Sequence, residues 1–382
     1  MKIAYLAAYF YPIRSGMENN CYYLARELAK KNDVHVFTAD RKDNILLNKN
    51  EVIDGIKVHR FKVLRYKYYF YFSFRMFYEI MKNDFDIIHV HGFGFLMHDV
   101  VIFFKKIFTK TKLVCTPHGP FMALREYDFL QKLIKFFYMP FLKLVVSFYD
   151  NIIEVNNKQF DIWMKDQFGV KKSQVIFVPN GIRASEFNKR DFRKFESKYN
   201  LKGKFVINYL GRLNKYKGLD QVINVLPYII KFYDNVVFVI MGRDGGALLE
   251  LKQLTRKLKL EKHVLFIEDI SDDEKFEAYE KSEIFVFPSD WEAFGISMLE
   301  AMAHGNAVVS TKTEGGEFLV EKGNGLLYNY KDLTALRDAL IKLISDNKLR
   351  EKMQANNIKK SRKYVWEKIV VDLEKHYKRL LK

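Results

Sequence analysis

Cysteine is nearly missing from this chain. Cys21 and Cys115 are the two present, too few for a disulfide framework and without the C-x-x-C spacing of zinc or dithiol sites, so a reduced, cytoplasmic setting is expected. Proline (7) and glycine (19) are scarce across 382 residues, which excludes collagen-like and disordered classes and leaves little for linkers. Long apolar runs are missing too. The best candidate, residues 87–97, holds His89, His91, Gly92 and Gly94 and is closed by His98 and Asp99, well short of the ~18 uncharged residues a spanning helix needs. The opening Met-Lys and apolar run has no small-residue cleavage site and reads as a buried first strand. Acid is in deficit, with 46 Asp+Glu against 64 Lys+Arg and a net charge of +18. Such a chain is drawn to nucleic acid, acidic lipid or phosphorylated ligands, and charge alone does not choose among them.

What is present is a chain 49% hydrophobic and longer than the ~250–300 residues at which one core stops growing, so two domains are expected. Strand-like runs at 3–8, 34–38, 56–61, 86–91 and 112–116 are separated by helical stretches, and the pattern returns at 205–210, 236–241, 264–267, 284–287 and 307–310. Alternation of strand and helix implies parallel strands joined by crossovers, hence an α/β protein of two doubly wound, Rossmann-like sheets. The turn chemistry of Val178-Pro179-Asn180-Gly181 puts the boundary after residue 180. Ligands of open α/β sheets bind beyond the carboxyl ends of strands, so two such domains facing each other would line a cleft with both sets of loops.

Loops of that kind carry candidate chemistry. Gly211-Arg212-Leu213-Asn214-Lys215-Tyr216-Lys217-Gly218 combines a planar fork at Arg212 with a point charge at Lys217, a set suited to a diphosphate or simply to a solvated basic turn. Gly242-Arg243-Asp244-Gly245-Gly246 allows close backbone approach of a ligand, or an ordinary turn. After the strand at 284–287 come Glu292, Phe294-Gly295-Ile296 and Glu300. Gly295 marks a helix start, whose N–H groups suit an anion, while the two carboxylates suit sugar hydroxyls; acids near a helix start are also favoured by its dipole alone. His118-Gly119 follows the fifth strand and Gly16 follows the first, the histidine with a structural or a functional reading open. His89 and His91 share one face of a strand without a third metal ligand and read as core. Asp84-Phe85-Asp86 has the D-x-D form but precedes a strand, and reads as structural.

Together, G-R-L-x-x-x-K-G at 211–218, P-S-x-x-E-x-F-G-x-x-x-x-E-A-M-A at 288–303, H-G at His118 and P-N-G at 179–181 resemble the family 4 retaining glycosyltransferases of GT-B fold (glycosyl transferases group 1). The resemblance covers essentially the whole chain. It implies a first domain of residues 1–180 with helix 362–382 packing back on it, and a nucleotide-sugar domain of 181–361. It implies transfer of a sugar from a nucleoside-diphosphate sugar to a hydroxyl, with retention and without a required metal or cofactor. Arg212 and Lys217 would hold the diphosphate, Glu300 the ribose hydroxyls and Glu292 the transferred sugar. Gly242 and the backbone of Phe294, Gly295 and Ile296 would lie beside the donor, Gly16 would approach its phosphates, and His118 would sit near sugar and acceptor. Departures from the family pattern are Ser15-Gly16 for Gly-Gly, Ala293 for Gly, Gly305-Asn306-Ala307 for Gly-x-Pro, and Arg183 where an acidic residue often follows P-N-G.

Aromatics crowd the stretch from Phe61 to Asp150. Arg60, Lys62, Arg65, Lys67 and Arg75 are interleaved with Tyr66, Tyr68, Tyr69, Phe70, Tyr71, Phe72 and Phe74, and residues 130–149 pair Leu130, Leu133, Ile134, Phe137 and Phe141 with Lys132, Lys135 and Lys143. Such segments suit an anionic membrane surface, and with it a lipid or lipid-linked acceptor at its cytoplasmic face; core packing is the plainer alternative. A soluble acceptor and a GT-B sugar-nucleotide epimerase are the other readings. No nucleic-acid partner is expected, since no RNA-binding motif accompanies the basic stretches.

Overall fold

The computed structural model describes residues 1–13, 15–42, 45–66, 69–122 and 129–382. Lys67 and Tyr68 of the basic aromatic stretch lie outside the described residues. The chain divides into one unit of Met1–Asn180 with Trp366–Lys382 and a second of Gly181–Val365.

The first unit is built on an eight-stranded sheet. Its order across the sheet is Val175–Phe177, Asn151–Glu154, Lys112–Thr116, Ile87–His91, Lys2–Leu6, Asp33–Ala39, Ile56–Phe61 and Asn50–Ile53, parallel except for the last. The central strands are buried along nearly their whole length because helices cover both faces, and Ile3, Tyr5, Ile88, Val90, Leu113 and Val114 are fully buried. Chain order reverses between Lys2–Leu6 and Ile87–His91. The helix Trp366–Leu380 packs against the helix Gly16–Ala29, where Tyr23 stacks on Trp366 with centroids 5.8 Å apart.

The second unit is a six-stranded, wholly parallel sheet ordered Val264–Ile267, Val236–Met241, Phe205–Leu210, Ile284–Phe287, Ala307–Thr311 and Gly325–Tyr328. Its order reverses between Phe205–Leu210 and Ile284–Phe287, the position where open α/β sheets take their ligands.

The two basic aromatic segments differ in how they pack. Arg60 is buried, its guanidinium donating to the Tyr11 and Asn48 carbonyls at 2.6 and 3.0 Å and pairing with Glu51. The hairpin Leu64–Tyr66 with Phe70–Phe72 buries Tyr71 and turns Tyr69, Phe70 and Phe72 against the first unit's core. Phe121 and Tyr138 give these rings apolar partners, whereas Phe74 at the end of the stretch is 75% exposed, so core packing accounts for Tyr69, Phe70, Tyr71 and Phe72 but not for Phe74. The helix Phe129–Ser147 behaves differently, with Phe129, Phe136 and Phe137 exposed.

Candidate active site

The loop after Phe205–Leu210 is fixed by its backbone. Leu213 donates to the Arg243 carbonyl at 2.9 Å, and the Tyr209 hydroxyl donates to the Arg212 carbonyl at 3.3 Å. The Arg212 side chain is left exposed, and its guanidinium has no ion-pair or hydrogen-bond partner among the described residues. Lys215–Lys217 form a single 3₁₀ turn ended by Gly218 at φ +64°. A Cβ at Gly218 would lie 2.3 Å from the Pro288 carbonyl oxygen, so glycine is what lets this loop touch the loop after Ile284–Phe287. That contact delivers Lys217: its Nζ lies 2.8 Å from Glu292 Oε2. Burial would lower the Lys217 pKa, but the Glu292 carboxylate, then the Tyr209 and Tyr216 hydroxyls, more than offset it and hold the ammonium above its ordinary range. Lys217 is therefore a locked cation beside a carboxylate, with the Tyr216 ring 4.8 Å away.

Gly242 follows the neighbouring strand at φ +137°, and a Cβ there would fall 2.1 Å from the Gly211 carbonyl oxygen. The approach that requires this glycine is the packing of two backbone turns. Asp244 then caps the next helix, accepting from the Gly246, Ala247 and Leu248 amides.

Gly295, at φ +86°, begins the helix Ile296–Ala303, whose first N–H groups have no intrahelical acceptor. Phe294 is buried among Phe318 and Tyr364, so only its backbone is available to a ligand. Glu300 lies just beyond the first turn. Its Oε1 accepts from Lys275 Nζ at 2.8 Å and its Oε2 from the Tyr279 hydroxyl at 3.0 Å. Glu186 stands close by, its pKa raised first by burial and then by the Glu300 charge, while Arg183 Nε donates to its Oε1 at 2.8 Å. Sequence reasoning missed Lys275, Tyr279 and Glu186. The one available signal was the four-residue spacing of Lys275 and Tyr279, which puts both on one face of the helix Asp272–Lys281. Arg183, noted only as a departure from the family pattern, proves to be the partner of Glu186.

In the first unit, Gly16 is exposed at the start of the helix Gly16–Ala29, where a Cβ would meet nothing within 4 Å. The Ser15 hydroxyl beside it donates to Glu18. His118, at φ +61°, sits with Nε2 3.0 Å from His91 Nδ1, and the two rings stack. Burial pushes the His118 pKa down to about 3, so at neutral pH it is an uncharged imidazole that donates or accepts hydrogen bonds. His89 and His91 are buried; His89 bonds the Tyr377 hydroxyl at 2.6 Å and Thr116 Oγ1 at 2.8 Å, the core role expected of it. Asp86 likewise serves the backbone, accepting from the Lys2 amide at 2.7 Å.

A cavity of about 340 Å³ opens in the second unit among Asn214, Leu219, Asp220, Ala247, Leu251 and Tyr330. Lys217, Glu292 and Glu300 do not line it, which separates it from the residues with chemical character.

Comparison with known proteins relates the chain to glycosyltransferases. The family described as Glycosyltransferase Family 4 matches residues 14–186, and that described as Glycosyl transferases group 1 matches residues 191–360. An uncharacterised glycosyltransferase of Methanocaldococcus jannaschii is 26% identical, the alignment covering 100% of this chain and 99% of the relative. The gpi3 subunit of phosphatidylinositol N-acetylglucosaminyltransferase from Schizosaccharomyces pombe is 27% identical over 80% of this chain and 65% of its own. Among solved structures, sucrose-phosphate synthase from Thermosynechococcus elongatus superposes with TM-score 0.82 at 18% identity, over 99% of this chain and 98% of that one. Anabaena HepE in complex with UDP-glucose superposes with TM-score 0.77 at 20% identity, over 99% and 100%. These likenesses establish the GT-B fold.

Proposed function

Because the chain belongs to the family 4 glycosyltransferases of glycosyl transferases group 1, we propose that it transfers a sugar, with retention and without a required metal, from a nucleoside-diphosphate sugar to a hydroxyl. The acceptor in this reading is a lipid or lipid-linked saccharide at the cytoplasmic membrane face, in the synthesis of a glycan or polysaccharide. The observation that carries it is the Lys217–Glu292 pair at the second sheet's reversal of strand order. A cation there faces a leaving diphosphate, and a carboxylate beside it faces sugar hydroxyls.

In this reading Arg212 and Lys217 neutralise the diphosphate as the bond between the sugar's anomeric carbon and the diphosphate oxygen breaks. The acceptor oxygen bonds that carbon from the same face, and its proton passes to the departing diphosphate. Glu300, held by Lys275 and Tyr279, takes the ribose hydroxyls with its remaining lone pairs. The first-turn N–H groups from Phe294 to Ile296 serve the donor, and Gly242 holds their neighbouring loop in place. Gly16 and His118 are assigned to phosphate and to sugar and acceptor by their family positions. HepE's complex with UDP-glucose and the gpi3 relative's phosphatidylinositol substrate, as their names give them, support the donor and acceptor classes.

The test is thermal-shift screening of UDP-, GDP- and ADP-sugars, with Glu300→Ala and Arg212→Ala as controls, followed by acceptor-dependent release of nucleoside diphosphate. One donor class should stabilise the wild type and neither variant. Stabilisation that survives both substitutions would place the donor elsewhere.

A further inference from the structure

The helix Phe129–Ser147 turns an apolar side outward. Phe129 is 82% exposed, Phe136 72% and Phe137 71%, with Leu133 and Leu144 exposed as well. Their spacing of three, four and seven gathers them on one stripe, while Leu142, Val145 and Val146 on the other side are buried in the core. No acidic residue occurs between Asp128 and Asp150. Lys132 and Lys143 stand exposed beside the stripe, without a carboxylate partner among the described residues, whereas Lys135 turns back to donate to the Met122 carbonyl at 3.0 Å. Scattered exposed hydrophobes are ordinary, but a contiguous stripe marks an interaction surface. No helix of the described residues is long and apolar enough to cross a membrane.

We propose that this stripe docks on the surface of an anionic lipid bilayer, its rings in the headgroup boundary and Lys132 and Lys143 at the lipid phosphates. Charge decides among the occupants. A second copy of the helix would bring lysines to lysines with no acid to answer them, whereas an anionic bilayer offers hydrocarbon to the rings and phosphate to the ammonium groups together. The helix is also tied to the loop that carries His118, through the Lys135 bond and through Phe121 and Tyr138, whose ring centroids are 5.7 Å apart. Docking would thus bring that loop to a lipid-borne hydroxyl; this last step rests on the transferase reading, and the docking itself does not.

The full chain, without donor, is to be sedimented with phosphatidylcholine vesicles containing or lacking phosphatidylglycerol. Binding should depend on phosphatidylglycerol. Phe136→Ser with Phe137→Ser should weaken it more than about tenfold, and Lys132→Ala with Lys143→Ala by roughly fivefold per lysine on the anionic vesicles alone. Melting curves of both variants should match the wild type, since the altered side chains are exposed. Equal binding to neutral vesicles, binding unchanged in both variants, or a dimer that the phenylalanine changes dissolve in the absence of any vesicle binding would each overturn the proposal. Donor-induced thermal shifts of the same variants keep the two readings apart. Lost vesicle binding with a retained shift is expected of the variants, and a wild type that binds vesicles but no nucleotide sugar refutes the transferase reading alone.

Discussion

Lys217 Nζ and Glu292 Oε2 lie 2.8 Å apart and join the loops that follow the adjacent strands Phe205–Leu210 and Ile284–Phe287. Sequence separates the two residues widely; the sheet's reversal of order makes them neighbours. Lys217→Met removes the locked cation while keeping most of its volume. Turnover of the donor should fall by about two to three orders of magnitude, as when one electrostatic stabiliser of a leaving group is deleted, measured as acceptor-dependent release of nucleoside diphosphate. A loss below tenfold would show that Arg212 alone suffices.

Lys275 neutralises a second site. Its ammonium bonds Glu300 and lies near Glu186, and its own pKa is raised by those carboxylates against the opposing effect of burial. Lys275→Met leaves two mostly buried carboxylates facing each other and should cost about 3 kcal/mol. The sign with pH follows from Glu186, whose folded pKa lies above its unfolded value because of burial first and Glu300 second. Its contribution is present below the unfolded carboxyl range and is lost as pH rises through the folded value. The stability gap between Lys275→Met and wild type should therefore widen from pH 5 to pH 8 in thermal melts. The variant should also raise KM for the donor more than it lowers kcat, which a purely structural role would not do.

The strands at 205–210, 236–241 and 284–287 were legible to the residue, because continuous β-branched and aromatic runs buried in mid-sheet have few alternatives, and the edge strand at 264–267 was legible from its unbroken apolar run. Asn50–Ile53, Asn151–Glu154 and Gly325–Tyr328 went unread as strands. They are edge or near-edge segments of four residues whose structure comes from a neighbour's ladder rather than from their own pattern. The site shows the same division. Glu292, Glu300 and Lys217 sit in motifs, whereas Lys275 and Tyr279 join them through packing of the helix Asp272–Lys281 and Glu186 from the 3₁₀ turn Ala184–Phe187. Gly242 was legible as a required glycine, but its requirement is the Gly211 carbonyl. The rings of 69–72 and of 129–137 look alike in sequence, and only burial tells core from surface.

The buried histidines make a pH prediction for the first unit. Burial lowers His89, His98 and His118 each to about 3, and lowers His91 as well. Groups with depressed folded pKa contribute stability that is present above the unfolded value near 6.5 and is lost as pH falls toward 3. Asp99, raised to about 7 mainly by burial, acts in the opposite sense. Histidines outnumber it, so urea unfolding of the first unit should weaken below pH 6.5, by roughly 1.4 kcal/mol per pH unit for each proton taken up in excess. His98→Gln, removing one such group, should flatten that slope; an unchanged slope would mean that the ring protonates without unfolding.

Glycines separate packing from ligand approach. Gly242→Ala should destabilise by several kcal/mol, its Cβ meeting the Gly211 carbonyl at 2.1 Å with a backbone at φ +137°. Gly16→Ala meets nothing within 4 Å and should leave the melting transition within about 0.5 kcal/mol of wild type. A fall in donor turnover in Gly16→Ala with unchanged stability would then report crowding of a bound phosphate. Unchanged turnover would remove Gly16 from the donor's surroundings.

Arg212 gives the sharpest separation of folding from chemistry. Its carbonyl is held by Tyr209 and by the Asn214 amide, at 3.3 and 3.0 Å, while its guanidinium is exposed and unpaired among the described residues. A planar fork held ready on a fixed backbone suits two phosphate oxygens at once. Arg212→Ala should leave stability within about 0.5 kcal/mol, since no native contact of the side chain is lost, yet weaken donor binding by one to two orders of magnitude, roughly what a charge-assisted hydrogen bond contributes. Arg212→Lys keeps the charge but not the fork, so its affinity should fall between the two, and the interval between Lys and Arg measures the bidentate component. If Lys restored full affinity, Arg212 would act only as a point charge, as Lys217 does, and the diphosphate would be recognised by charge rather than by shape.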